Sequence, residues 1–325
     1  MIKSFFMSKK WAPWAYGIGS IMLLLVLAQV YITVLFNEWY KEFYDLLQFA
    51  QDRDVNEFYA SLFKFMKLAI PYIWILTIAN WVTKMYSLRW REAITFSYLP
   101  RWKDTEIKIE GASQRIQQDT ERFARIVENL GLQVVRAVMT LVAFVPILWH
   151  LSSGVDIKYL RDIPGSLMWI ALIVSLGGMV ISWFVGWWLP GLEFNNQVVE
   201  ARYRKQLVKA EDNRKKYCIM SEMTNLFTGV RSNYQRLFLH YGYFDLWAIT
   251  FDQILTIVPY LIMGHGLFTG VIMLGTMIQV SNAFGKVQSS LSLFIYNWTT
   301  ITELRSIWKR LHQFENALIT SDKED

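Results

Sequence analysis

The sequence predicts an all-α, polytopic membrane protein with six transmembrane helices and long cytoplasmic helical extensions. Three observations carry that fold class. Trp14–Phe36 runs for 23 residues and Ser166–Leu189 for 24 without a charged side chain, each above the roughly 20 residues that cross about 30 Å of hydrocarbon. Hydrophobic residues make up 54% of the chain and charged ones 18%, so neither run has the polar face that a soluble core helix of that length needs. Two charged stretches, Lys84–Leu130 and Gly191–His240, hang between apolar runs. That alternation describes helices that continue past the bilayer on one side, as in transporters that open to one face at a time.

The whole chain, residues 1–325, is expected to form a single transmembrane domain. The first span is placed at 14–36; Lys3, Lys9 and Lys10 precede it, but its apolar length exceeds the 7–15 residues of a signal core, so it is expected to stay uncleaved. The second, 58–82, carries Lys64 and Lys67 near its start and Pro71 as an expected kink. The third, 131–151, holds Arg136 near one end, and the fourth is 166–189. The fifth, 244–263, contains Asp245 and Asp252. The sixth, 267–295, is uncharged as far as Phe284, and its helical pattern runs on towards Phe314, with a C-terminal helix at 297–318. The segments 84–130 and 191–240 are expected to be helical hairpins. Between Lys103 and Gly131 there is no proline and one glycine, and Ile107, Ile116, Phe123, Ile126, Val127 and Leu130 recur at helical spacing. Turns are expected near Arg101 and within 213–221, and a kink at Pro190-Gly191. Trp187, Trp188 and the Trp39/Tyr40/Tyr44 group fit interfacial aromatic belts.

Charge fixes the orientation. On the face shared by the termini, three Lys/Arg precede the first span, nine lie in each long charged segment and four follow residue 296, 25 in all; the opposite face has four, Lys41, Arg53, Lys158 and Arg161. The positive-inside rule puts both termini and both hairpins in the cytoplasm. The net charge of +6 then reflects topology, and nucleic-acid binding is not implied. The single cysteine, Cys218, excludes an internal disulfide framework, and His150, His240, His265 and His312 show no metal-ligand spacing. No GxxxxGK[ST] phosphate loop occurs; Gly285-Lys286-Val287 lacks the preceding glycines. With no GxSxG, HExxH or CxxC either, the sequence predicts no enzyme, metal or cofactor.

The acidic residues are the candidates for function. Glu110, Glu121 and Glu128 stand at offsets 0, 11 and 18, and Glu193, Glu200 and Glu211 at 0, 7 and 18. On continuous α-helices those offsets fall within about 20° of one direction and span about 27 Å. Two such stripes facing a common cavity would offer stepping sites to a proton or a cationic solute. The structural alternative is ordinary i,i+4 pairing, available to Glu121–Arg125, Glu200–Arg204 and Glu211–Lys215. Glu110 and Glu193 have no base three or four residues away, and Glu128 has Arg125 in the weaker order. Burial would raise the pKa of such a carboxyl towards neutrality, which suits proton coupling. Asp252, inside a span, is a separate candidate, with pairing to Arg136 or Lys286 as its structural alternative.

Several strings resemble the SbmA/BacA peptide-antibiotic transporters, collinearly over nearly the whole chain. They are Asn37-Glu38-Trp39-Tyr40 with Phe43-Tyr44-Asp45-Leu46-Leu47-Gln48, Glu110-Gly111-Ala112-Ser113-Gln114-Arg115-Ile116-Gln117, Arg122-Phe123-Ala124 and Glu128-Asn129. Leu189-Pro190-Gly191-Leu192-Glu193-Phe194-Asn195-Asn196-Gln197, Ala201 with Tyr203-Arg204-Lys205, and Asn297-Trp298-Thr299-Thr300 through Lys309-Arg310-Leu311 continue the match. The resemblance implies a homodimer with the fold of an ABC-exporter transmembrane domain and no attached ATPase. It implies residence in the bacterial inner membrane and proton-driven import of antimicrobial peptides or other bulky solutes. It carries the coupling role onto Glu110, Glu128, Glu193 and Glu200. Family chains usually have further N-terminal membrane segment, and Gln118 and Gln206 stand where the resemblance implies acidic residues. The expected function is therefore proton-coupled import of peptides or bulky solutes. Its alternatives are the membrane subunit of an ABC transporter with a separately encoded ATPase, and a non-transporting membrane scaffold or receptor.

Overall fold

The computed structural model describes residues 1–105 and 111–321, and every regular element in them is helical. Five helical stretches are long and apolar enough to cross a membrane: Ala12–Gln48, Val55–Asp104, Ala112–Gly154, Ser166–Asp212 and Met220–Phe268. Large apolar side chains such as Leu24, Trp74, Trp81, Val142, Phe184 and Leu261 stand on their outer surfaces. In water, that much contiguous apolar surface would drive aggregation; against acyl chains it costs nothing. The segment expected as a sixth span is divided. Residues 267 and 268 end the preceding helix, a turn comes next, and a helix of 18 residues, Leu274–Leu291, takes up the rest. With Gln279, Ser281, Asn282, Lys286 and Gln288 in it, its composition does not place it among the five.

Contacts within the chain divide it into two compact units, Met1–Leu172 with Pro259–Asp325, and Ile173–Val258. In the first, α1 (Ile2–Phe6), α2 (Ala12–Gln48), α3 (Val55–Asp104), the short α4 (Ala112–Gln114) and α5 (Thr120–Leu151) come in chain order. α3 begins on Asp54, whose carboxylate accepts from the Asn56 N–H, and it passes through Pro71 as one continuous helix. α2 and α3 meet along an aromatic seam. Trp39 is 5% exposed, stacks on Phe43 at 4.7 Å between centroids and donates its indole N–H to the Ser61 carbonyl at 2.9 Å. With its N–H satisfied from α3, Trp39 packs as a core side chain. Lys64, one of the charges at the start of the second apolar run, pairs with Glu42 of α2.

The remaining helices of the chain are α6 (Lys158–Arg161), α7 (Ser166–Gly186), α8 (Leu189–Asp212), α9 (Arg214–Tyr217), α10 (Met220–Phe268), α11 (Leu274–Leu291), α12 (Leu293–Tyr296) and α13 (Trp298–Ser321). α11 packs between α2 and α5. Its N-terminus is capped from a distance: Gln48 Oε1 accepts from Leu274 N–H at 2.7 Å and Asp45 Oδ1 from Gly275 N–H at 2.8 Å. A carboxylate there satisfies otherwise unpaired donors and opposes the positive end of the helix dipole. A Cβ on Gly275 would lie 1.9 Å from the Lys41 carbonyl oxygen, so this approach of α2 to α11 admits glycine alone.

α13 docks along one stripe. Ile307, Leu311, Phe314 and Leu318, at helical spacing, are all fully buried. Phe314 meets Tyr98 edge-on at 5.3 Å, and Tyr98 donates its hydroxyl to Glu315 at 3.0 Å. A second tie reaches the start of α5. Arg310 forks onto Asp119 with both hydrogen bonds at 2.8 Å, and Asp119 is 2% exposed.

In the second unit, the C-terminal part of α7 packs against α10 through small residues facing aromatic ones. A Cβ on Gly178 would lie 1.8 Å from the Phe251 ring, and Trp247 donates its N–H to Ser182 at 2.9 Å. Small residues let membrane helices approach closely where water supplies no drive. The break expected at Pro190-Gly191 falls two residues earlier, at 187–188, and leaves Pro190 in the first turn of α8, where its missing N–H costs nothing. The turn expected within 213–221 corresponds to the interruptions that flank α9.

Arg310→Leu should lower the unfolding free energy by about 2–3 kcal/mol, below the ~3–5 for a wholly buried pair because the Arg310 side chain keeps 41% of its exposure. The double substitution Asp119→Leu/Arg310→Leu should recover most of that loss in SDS titration of the purified protein. A double variant no more stable than the single one would show that the unpaired carboxylate is not the cause.

Candidate functional site

The stripe expected from Glu110 through Glu121 to Glu128 presupposes one unbroken α-helix. Glu110 lies outside the described residues. Between Gly111 and Thr120 the backbone passes through a π turn, Arg115–Asp119. The extra residue in such a turn rotates the segment before it by about 100° relative to the helix after it. Within α5, Glu121 and Glu128 alone share a direction.

Those two residues have opposite surroundings. Glu121 is part-exposed and pairs with Arg125 at 3.1 Å, the i,i+4 contact of a helix surface. Glu128 is 7% exposed, and its Oε1 is buried without a hydrogen-bond partner among the described residues. It lies on the hydrophilic part of α5, before the apolar run 131–151. Desolvation pushes its carboxyl up to about 7, because removal from water penalises the charged form and no cation offsets it. The ionisable neighbour that responds to it is Tyr86 of α3. Burial first, and then the Glu128 charge, push that phenol up to about 12. Tyr86 donates its hydroxyl to the Ala15 carbonyl of α2 at 3.3 Å, so its proton is directed away from Glu128.

One turn further along α5, a pocket of about 120 Å³ opens between three helices. Asn80 and Thr83 of α3 and Asn129, Gln133 and Arg136 of α5 form its polar side, and Met22 and Val26 of α2 its apolar one. Gln133 is held at both ends. Its oxygen accepts from the Asn297 amide at 2.9 Å, and its nitrogen donates to Asn129 Oδ1 at 3.1 Å.

In the second unit, Glu193 is half-buried on α8 and shares a hydrogen bond with the Tyr241 hydroxyl of α10. Burial, with the Glu193 charge beside it, pushes that phenol above its ordinary range, so Tyr241 remains a donor. Glu200 is half-buried and Glu211 exposed, and neither forms its i,i+4 ion pair among the described residues. Lys215 lies beyond the break at Asn213, on a different helix from Glu211. Asp252 is exposed on α10. Glu128 is thus the candidate that the fold isolates from both water and base. Asp119, Tyr86 and Tyr241 were not singled out by sequence. A single aspartate at the start of a helix and isolated phenols leave no periodic signal.

Comparison with known proteins places these observations. The model of the SbmA/BacA-like family matches residues 8–319. The chain is 24% identical over 315 residues to the inner membrane ABC transporter ATP-binding protein YddA of Escherichia coli, covering 90% of this chain and 56% of that protein. It is 27% identical over 309 residues to ABC transporter D family member 2, chloroplastic, of Arabidopsis thaliana, covering 90% of this chain and 42% of the relative. An uncharacterized ABC transporter ATP-binding protein of Synechocystis is 23% identical over 284 residues, with 82% and 41% covered. The chain therefore spans about half the length of the curated relatives it matches. With its match running through every helix from α2 to α13, and five of its helical stretches fit to cross a membrane, the chain belongs to the SbmA/BacA-like family.

Proposed function

We propose that this protein is a homodimeric, proton-coupled transporter that imports peptides or similar bulky solutes across the bacterial inner membrane, with both termini and the 84–130 and 191–240 segments in the cytoplasm. The observation that carries the reading is the isolation of Glu128. A carboxyl buried without a base and titrating at about 7 is half-protonated where a proton gradient operates. Glu128 takes up a proton when its surroundings open to the acidic side and releases it on the other. Glu110, Glu193 and Glu200 are proposed as further stations. The membrane potential adds about 2.3 kcal/mol per charge per 100 mV, enough to bias a modest conformational equilibrium. Family membership supports the dimer and the solute class, and the asymmetry of 25 against four basic residues supports the orientation.

Glu128→Gln keeps the shape and removes the titration. Proteoliposomes of the wild type should accumulate a fluorescent peptide under an inward proton gradient and lose at least about tenfold of that uptake when an ionophore collapses it, a scale set by ~1.4 kcal/mol of coupling. Glu128→Gln should be slow with or without the gradient. Undiminished gradient-driven uptake in the variant would remove Glu128 from the mechanism.

Stability offers an independent check. The folded-state pKa lies above the ordinary carboxyl value, so the folded protein binds the extra proton. The resulting stability is complete below about pH 4.5 and is lost as pH rises through about 7. Between pH 5 and 7, wild-type stability should fall by about 2 kcal/mol more than that of Glu128→Gln, read from denaturation midpoints across that window.

A second reading has its own support. Relatives that the chain matches are named as ABC transporter ATP-binding proteins, which supports the alternative of a membrane subunit that works with an ATPase. Vanadate-sensitive uptake in intact cells and co-purification of an ATPase would select it over proton coupling.

A further inference from the structure

Arg136 stands two turns beyond Glu128 on α5, inside the apolar run 131–151. Arg136 is exposed in the described chain, and a guanidinium at membrane depth is ordinarily balanced by an anion. It forms no ion pair among the described residues. Instead it lines the pocket of about 120 Å³ beside Asn80, Thr83, Asn129 and Gln133. Two of the acceptors around that pocket are already engaged. Gln133 Oε1 is taken by Asn297 and Asn129 Oδ1 by Gln133. The amide nitrogen of Asn129 therefore remains as a donor, next to the Asn80 amide, the Thr83 hydroxyl and the guanidinium fork. A pocket edged by one cation, with amide and hydroxyl donors beside it, matches an anion. Its volume of about 120 Å³ has room for a carboxylate on a short stem. The fork geometry suits two carboxylate oxygens together.

From this arrangement we infer that the pocket between α2, α3 and α5 is a subsite for the carboxylate of the transported solute, with Arg136 as its ligand. The inference rests on the transport reading for the identity of the solute, and on the pocket alone for its chemistry. Arg136 anchors the terminal carboxylate while the remainder of the solute lies outside, and it does so two turns from the buried Glu128.

The test compares two probes that differ in one group: trialanine and trialanine amide, each labelled at its N-terminus, binding to the full-length protein in phosphatidylcholine nanodiscs. The wild type should bind the acid about threefold to fivefold more tightly than the amide, the margin of one ion pair at an exposed arginine. Arg136→Gln should erase the difference by weakening the acid, and Arg136→Lys should keep part of it. Equal affinities in the wild type, a preference that survives Arg136→Gln, or no binding of either probe would overturn the assignment. Nanodiscs containing phosphatidylglycerol separate the lipid source. Arg136-dependent thermal stabilisation by that lipid which trialanine does not displace would give the pocket to a lipid phosphate and overturn the solute subsite. Because binding is read without a gradient, it is distinct from uptake. Loss of proton-driven transport with the acid preference intact would remove the coupling reading alone.

Discussion

An ion withdrawn from water must be met by an opposite charge, and Asp119 shows how much structure that requirement organises. Its carboxylate is almost wholly removed from solvent, and both of its oxygens are taken by the Arg310 fork. Forming that pair requires the C-terminal helix to lie across the start of α5, and it requires the π turn before α5 to deliver Asp119 at the right rotation. Once α13 is in place, its buried stripe of Ile307, Leu311, Phe314 and Leu318 closes over Tyr98 and Phe123. Arg122–Glu303 at 3.4 Å repeats the link one turn further along. Burial of an acid and docking of a helix separated from it by more than 170 residues are one event.

Nine residues later on the same chain the rule is left unmet. Glu128 is as poorly hydrated as Asp119 but has no guanidinium. The cheapest remedy is a proton, and that remedy makes the residue responsive to pH near neutrality. Its neighbour Tyr86 is satisfied elsewhere, on the Ala15 carbonyl. Proteins keep such unmet groups where chemistry needs them and offset them with packing around them. The stacked Phe5–Trp90 rings at 5.4 Å and the edge-on Phe123 at 5.9 Å supply that packing in the same core.

Strings shared with the family divide, in the structure, between framework and site. Asp45 and Gln48 cap α11 from α2 and Trp39 closes the α2–α3 seam, so that string builds the bundle. Asn129 and Asn297 instead meet at the polar edge of the pocket, through Gln133. Proximity in sequence distinguishes the two groups poorly, since capping and ligand binding use the same polar residue types.

Amino-acid order alone determined the helical class, the apolar runs and the charge asymmetry, because hydropathy and helical period are local properties that survive any packing. It also determined that Glu128 lacks a well-placed base, a consequence of spacing along one helix. It did not determine that the run from 267 to 295 is divided by a turn, since the capping of α11 depends on Asp45 and Gln48, more than 220 residues away. Nor did it reveal the π turn that rotates Glu121 and Glu128 out of register with the residues before it, because one inserted residue leaves no trace in composition. Tertiary structure alone decided what meets each acid: Asp119 paired and Glu128 bare in the interior, Glu193 half-buried beside Tyr241. Desolvation and charge pairing are set by neighbours distant in sequence, and one helix's periodicity holds no information about them.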